Sequence, residues 1–158
     1  QNRQQEKPTL RRYATALSGL VFLMILSGGF VAGTDAGYAY PTFPLMGNSF
    51  IPPGIYGTEP FWLAIFEDIT TIQFNHRMFA YLLIALIIYF VFNVLKQENI
   101  SSEIRAGVKL MLILLVIQVT LGISTLLLHM PIPIAAAHQG GAILLFSSVL
   151  FVCHRLRN

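Results

Sequence analysis

One cysteine, Cys153, stands in a chain of 158 residues. A single thiol excludes an internal disulfide and a CxxC redox pair, and with them a quinone-linked thiol oxidase. Charge is scarce as well. Asp, Glu, Lys and Arg make up 11% of the chain, where a soluble domain carries roughly 25%. Four runs, 13–32, 78–95, 108–128 and 134–152, hold no charge except Lys109 at the edge of the third. Each is close to the roughly 20 residues a helix needs to cross about 30 Å of hydrocarbon. With 55% hydrophobic residues and a mean hydropathy of +0.67, the chain reads as an all-α integral membrane protein. Its expected architecture is a four-helix bundle with a long outer-side loop carrying a short interfacial helix.

The few charges are segregated. Arg3, Lys7, Arg11 and Arg12 precede the first run, Lys96, Arg105 and Lys109 lie between the second and third, and Arg155 and Arg157 follow the fourth. Nine of the ten bases thus fall on one side, which the positive-inside rule makes cytoplasmic or the equivalent matrix side. Both termini of this segment belong there, in a bacterial inner membrane or a mitochondrial inner membrane. The opposite side holds Asp35, Glu59, Glu67, Asp68 and the single base Arg77. The pI near 9.3 is therefore topological; membrane lipid, not nucleic acid, is the surrounding partner. No cleavable leader is visible, and a chain opening on Gln1 is expected to be a piece of something longer. Residues 1–12 read as a cytoplasmic linker or tail. Residues 13–158 read as the membrane domain, with spans at about 13–33, 76–95, 107–128 and 134–153.

Span one ends in a glycine-rich stretch whose Gly29 and Gly33 form GxxxG. The motif permits close helix approach, or leaves room for a flat ligand. Gly37, Pro41, Pro44, Gly47, Pro52, Pro53, Gly54 and Pro60 punctuate the outer loop and exclude long regular structure before Phe61. The apolar stretch 61–66, with Trp62 inside it and Glu67 and Asp68 after it, suits a short interfacial helix. Ser101 or Ser102 is placed to cap span three, with Glu103 in its first turn. Gln118, Thr120, Ser124 and Thr125 are expected to face the interior as hydrogen-bonding glue or ligand contacts. The tight turn at His129–Pro133 and the short loop before span three favour antiparallel neighbours, with spans one and two adjoining.

Two histidines then meet. Gln73-Phe74-Asn75-His76-Arg77 sits where the charged outer loop enters span two, and His138 lies about one turn, roughly 5–6 Å, into span four. Both spans run inward from the same side, so both imidazoles reach the outer part of the bundle. Two neutral imidazoles at one level on separate helices can fill both axial positions of an iron porphyrin; for His138, a buried histidine hydrogen-bonded between helices is the alternative. The small residues Ala135, Ala137, Gly140 and Gly141 leave space for such a plane. Arg77 supplies a forked cation suited to haem propionates; an arginine snorkelling to the interface, or paired with Glu67 or Asp68, is the alternative. His129 reads as an interface residue and His154 as an end-of-helix cation. Zinc is not supported, since no third ligand converges on the pair.

The residues Gly29-Phe30-Val31-Ala32-Gly33-Thr34-Asp35-Ala36-Gly37, Thr42-Phe43-Pro44-Leu45-Met46 and Gln73-Phe74-Asn75-His76-Arg77 together resemble the haem A synthase family. So does the stretch from Leu126 through His129, Pro131, Pro133 and Ala135 to His138-Gln139. Specifically, the chain is similar to the carboxy-terminal half of these enzymes, which oxidise haem O to haem A. The resemblance implies an eight-span protein of two similar halves, each holding a porphyrin near the outer face through a histidine pair. The amino-terminal half is the catalytic one and has a Glu three residues before its first ligand. Here that position is Gln73, which matches the other half, taken to hold haem b for electron transfer or structure. His76 and His138 are then the iron ligands, with Arg77, Gln73, Gln139 and Gln118 about the cofactor, and no catalytic residue is assigned. Pro41 departs from the family's usual Asn. Implied partners are the amino-terminal half or a second copy, haem O as substrate of the whole enzyme, a haem O synthase and cytochrome oxidase assembly factors.

A bis-histidine haem leaves no open coordination position, which suits electron relay better than oxygen activation. The alternatives are a stand-alone bis-histidine cytochrome, and a haem-binding assembly or carrier subunit without catalysis.

Overall fold

The computed structural model describes residues 3–157, with side chains from residue 8 onward. Four long helices dominate it: α1 (Arg3–Gly33), α3 (Ile69–Leu95), α4 (Ser102–Leu127) and α5 (Ile132–Arg155). A short α2 (Ala64–Glu67) lies in the connection between α1 and α3. Each long helix contains a stretch apolar and long enough to cross a membrane, and the protein is a multi-pass membrane protein. Among the described residues there is no strand, only an isolated bridge between Met46 and Ser49.

Two helices begin earlier than hydropathy predicts. The backbone is already helical at Arg3, so most of the polar stretch 1–12 continues α1 instead of forming an irregular linker; residues 1 and 2 lie outside the described part. α3 starts at Ile69, not near residue 76. The cause is Asp68, whose carboxylate accepts the backbone N–H groups of Thr70 and Thr71 at 3.1 Å each and also takes the Thr71 hydroxyl. This N-cap satisfies donors that have no partner within the helix, and it starts the helix two turns before the apolar run. Ser101 caps α4 in the expected way, accepting from Ile104 N–H at 3.3 Å. At the other end of the same connection Arg105 donates to the carbonyls of Leu95 and Gln97, placing a cation on the last turn of α3.

α1 packs against α3 and α5, and α4 packs against α3 and α5, which leaves α3 and α5 as a diagonal pair. Spans one and two adjoin, as the sequence suggests. The apolar core fills only one half of this bundle. Leu10, Ala14, Leu17 and Val21 of α1 meet Leu83, Ile87, Phe90 and Val94 of α3, Ile104, Val108, Met111 and Leu115 of α4, and Leu145, Val149 and Val152 of α5. All of these lie toward the end that carries the two described termini. In hydrocarbon such side chains gain little simply by leaving lipid, so close packing is what holds them together. Their outward counterparts, such as Val116 at 60% exposure and Leu144 at 58%, face away from the bundle.

The connection between α1 and α3 is irregular, as its prolines and glycines predict, apart from 3-10 turns at Ala36–Tyr38 and Phe61–Leu63. The second turn runs into α2, with Phe61 and Trp62 exposed, in keeping with a short helix at an interface. The α4–α5 turn places His129 and Met130 at φ of 62° and 61°. The left-handed backbone is stabilised by Met130 N–H donating to Thr125 O at 2.8 Å, a C-capping bond that closes the end of α4.

Candidate functional site

The half of the bundle beyond the apolar core, toward the long loop, is built differently. The first two turns of α3 work as a rack for that loop. Thr71 Oγ1 accepts from Tyr56 N–H at 2.9 Å, and Asn75 Oδ1 accepts from the Tyr56 hydroxyl at 2.6 Å. Gln73 Nε2 donates to the carbonyls of Gly37 and Tyr40 at 3.0 and 3.2 Å. Arg77 donates from Nη2 to Tyr40 O at 2.7 Å and from Nη1 to Leu45 O at 3.3 Å. Gln73 and Arg77 are buried, and their i, i+4 spacing puts both on one face of α3. The Gln73 orientation is fixed by its surroundings, because two carbonyls can only be met by the amide nitrogen. Its Oε1 is buried with no donor. Arg77 therefore neither snorkels nor pairs with Glu67 or Asp68; its guanidinium binds the loop backbone. Gly37, held under this staple, is buried against Met130 of the α4–α5 turn, so the 36–40 segment roofs the end of the bundle.

Below the roof stand the two histidines. His76 is seven residues past the start of α3 and His138 six past the start of α5, about 10 and about 9 Å along their helices at 1.5 Å per residue. The stretch 73–77 is thus not the mouth of a loop but the second turn of a capped helix. His76 Nδ1 lies 3.0 Å from Ser27 Oγ on α1. His138 Nδ1 lies 3.1 Å from the backbone carbonyl of Gln118 on α4. A carbonyl only accepts, so this bond places the proton of His138 on Nδ1 and leaves the Nε2 lone pair free. Each ring also rests near a glycine of the same neighbouring helix: Gly28 beside His76, Gly122 beside His138. Diagonal helices, similar distances from the loop-side helix starts and an Nδ1 engaged on each ring form an arrangement able to grip a group between them.

The remaining sequence candidates are distributed as follows. Gln118 contributes its backbone to His138, while its side-chain Oε1 is buried without a donor against Gly141. Gln139 is exposed, a hundred degrees round α5 from His138. Thr120 is exposed and donates to Val116 O of its own helix. Thr125 is buried but does the same to Leu121 O. The expectation of interhelical glue fails for these two, because a hydroxyl satisfied four residues back has no need of a neighbouring helix. Gly29 and Gly33 touch nothing: a methyl on either would meet no atom within 4 Å, so their GxxxG does not pack helices among the described residues. His129 and His154 are exposed at opposite ends of the bundle. Ser27 and Gly28 belong to the small-residue stretch at the end of span one but carry no individual role in the sequence reading, and Gly122 belongs to no motif. The signal that finds them is depth: Ser27 lies six residues before the end of α1 and Gly122 five before the end of α4, level with the histidines on antiparallel neighbours.

The family model COX15-CtaA, described as cytochrome oxidase assembly protein, matches residues 1–150. The chain belongs to that family. A heme A synthase of Nitrosomonas eutropha is 50% identical over 147 residues, covering 93% of this chain and 41% of the relative. Heme A synthase COX15 of Bos taurus is 41% identical over 150 residues, covering 94% of this chain and 36% of the relative. The human protein of the same name is 40% identical over 148 residues, covering 94% and 36%. The chain thus spans about two fifths of the length of the curated relatives it matches. No solved structure matches it.

Proposed function

We propose that this chain is the carboxy-terminal, haem b-binding half of a haem A synthase, the membrane enzyme that oxidises haem O to haem A. The single observation that carries the reading is the pair of histidines at one depth on diagonal helices, each with Nδ1 engaged by a flanking helix. A hydrogen bond at the far ring nitrogen orients a ligating imidazole and, where that nitrogen donates, raises its basicity. Haem, when bound, supplies reversible one-electron chemistry. His76 and His138 would hold it through their Nε2 nitrogens, in the half of the bundle that the main apolar cluster does not reach. Arg77 has five N–H donors; those not given to loop carbonyls are assigned to a propionate. The basic end faces the cytoplasm or matrix, and haem is held near the outer face of a bacterial or mitochondrial inner membrane.

Gln73 favours relay over catalysis. In the half taken to be catalytic the equivalent position is Glu, able to accept a proton or stabilise charge. Here the amide cannot ionise, and its nitrogen already holds the roof. The proton-handling step therefore belongs to the other half of the longer enzyme, not to this one. The test is an absorption spectrum of the purified membrane protein with pyridine extraction of its pigment. Wild-type protein is expected to show a six-coordinate haem b. His76→Ala and His138→Ala should each abolish that spectrum while His154→Ala keeps it; retention in either ligand variant overturns the assignment.

A further inference from the structure

We propose that Gly122 is the positioning residue for His138: one turn of α4 supplies both the acceptor that fixes the imidazole's proton and the notch that fixes its distance. The inference rests on the haem reading above and assigns a role within it. A methyl carbon on Gly122 would stand 2.7 Å from Cε1 of His138 and 3.3 Å from each ring nitrogen. The contact is centred on Cε1, the atom between Nδ1 and Nε2, so any push there moves both nitrogens. Backing away is costly, because Nδ1 is tied at 3.1 Å to the Gln118 carbonyl, four residues earlier on the same helix. Gln118 and Gly122 therefore hold the ring by pull and stop together. With a side chain at residue 122 the imidazole keeps the hydrogen bond or the clearance, not both.

The other glycines of this region mark how specific the notch is. A methyl on Gly28 would lie 3.4 Å from Cε1 of His76, an ordinary van der Waals approach. Gly141 receives the Gln118 side chain, with Oε1 at 2.5 Å from a methyl there; the end of a flexible side chain can turn away. Only at Gly122 does the obstruction fall on a ring already anchored at Nδ1.

The experiment compares Gly122→Ala with Gly19→Ala, whose added methyl meets no atom within 4 Å, in the purified haem-loaded protein. It reads the reduced absorption spectrum and the reaction with carbon monoxide, which a haem with both axial positions filled does not bind. Gly122→Ala should lose six-coordinate haem and gain carbon monoxide reactivity, while wild type and Gly19→Ala stay inert. A folded Gly122→Ala protein with the wild-type spectrum and no such reactivity overturns the proposal. Where Gly122→Ala fails to accumulate, the double variant with His138→Ala decides. With the ring removed, it should accumulate as well as His138→Ala alone. If it does not, Gly122 serves helix packing only and the proposal fails. Wild-type protein that takes up no haem would instead overturn the functional reading, and the accumulation comparison still decides the contact between Gly122 and the ring.

Discussion

The two halves of the bundle use the same four helices in different ways. Toward the termini, Ala14, Ile87, Val94, Val108, Met111, Val149 and Val152 are wholly inaccessible, and Tyr13 stacks on Phe90 with centroids 5.7 Å apart. Toward the loop, the buried polar side chains Thr71, Gln73, Arg77 and Thr125 stand beside Ala36, Met46, Ala64, Ile72 and Leu126, and glycines lie against the histidines. One half is held by shape; the other is held by hydrogen bonds to backbone carbonyls. A chain that packed both halves tightly would be more stable and would have no room for a ligand. The difference separates a closely packed half from the half in which the proposed ligand site lies.

The strongest test of that separation is Phe90→Ala. Phe90 is 1% exposed at the centre of the packed half, and a truncation of this kind costs about 3–5 kcal/mol. Thermal unfolding should report the loss, while protein that remains folded keeps an unaltered haem spectrum because no histidine partner is touched. A changed spectrum would show that the halves are mechanically coupled. Gln73→Glu probes the polar half and should cost less, about 3 kcal/mol. A carboxylate in place of Nε2 would face the carbonyls of Gly37 and Tyr40 with no donor to offer. The expected readout is faster proteolytic cleavage within the 36–60 segment. Acidification, by protonating the carboxyl, restores one donor and returns part of the protection. Cleavage rates equal to wild type at neutral pH would mean that Arg77 alone staples the roof.

How much of this was legible beforehand follows the same division. Hydropathy located all four helices because the lipid-facing surface imposes it, and the two histidines were visible as ionisable residues where lipid makes them costly. Helix starts were not visible in hydropathy. Asp68 begins α3 through a local carboxylate–amide bond, which a window average does not register, and His76 was consequently placed too near the loop. Arg77 was read by its charge, yet its observed partners are the carbonyls of Tyr40 and Leu45. Backbone acceptors have no residue code to search for. Gly122 and Ser27 lacked any motif; they emerge only when residues on antiparallel neighbours are counted from the same end.

The smallest predicted effect concerns the glycine motif that seemed most telling. Gly29 and Gly33 face open space, so Gly29→Ala introduces no clash within the bundle and removes the cost of a helical glycine, a gain of about 0.5–1 kcal/mol. Thermal unfolding of the variant should match or slightly exceed wild type, with the haem spectrum unchanged. In a longer protein, of which this chain would be about two fifths as it is of its relatives, the same substitution also reports on the surroundings of α1. A loss of stability there, in place of the small gain, would mean that another helix lies against this stripe. The open face would then be a seam within the larger protein instead of a surface turned to lipid.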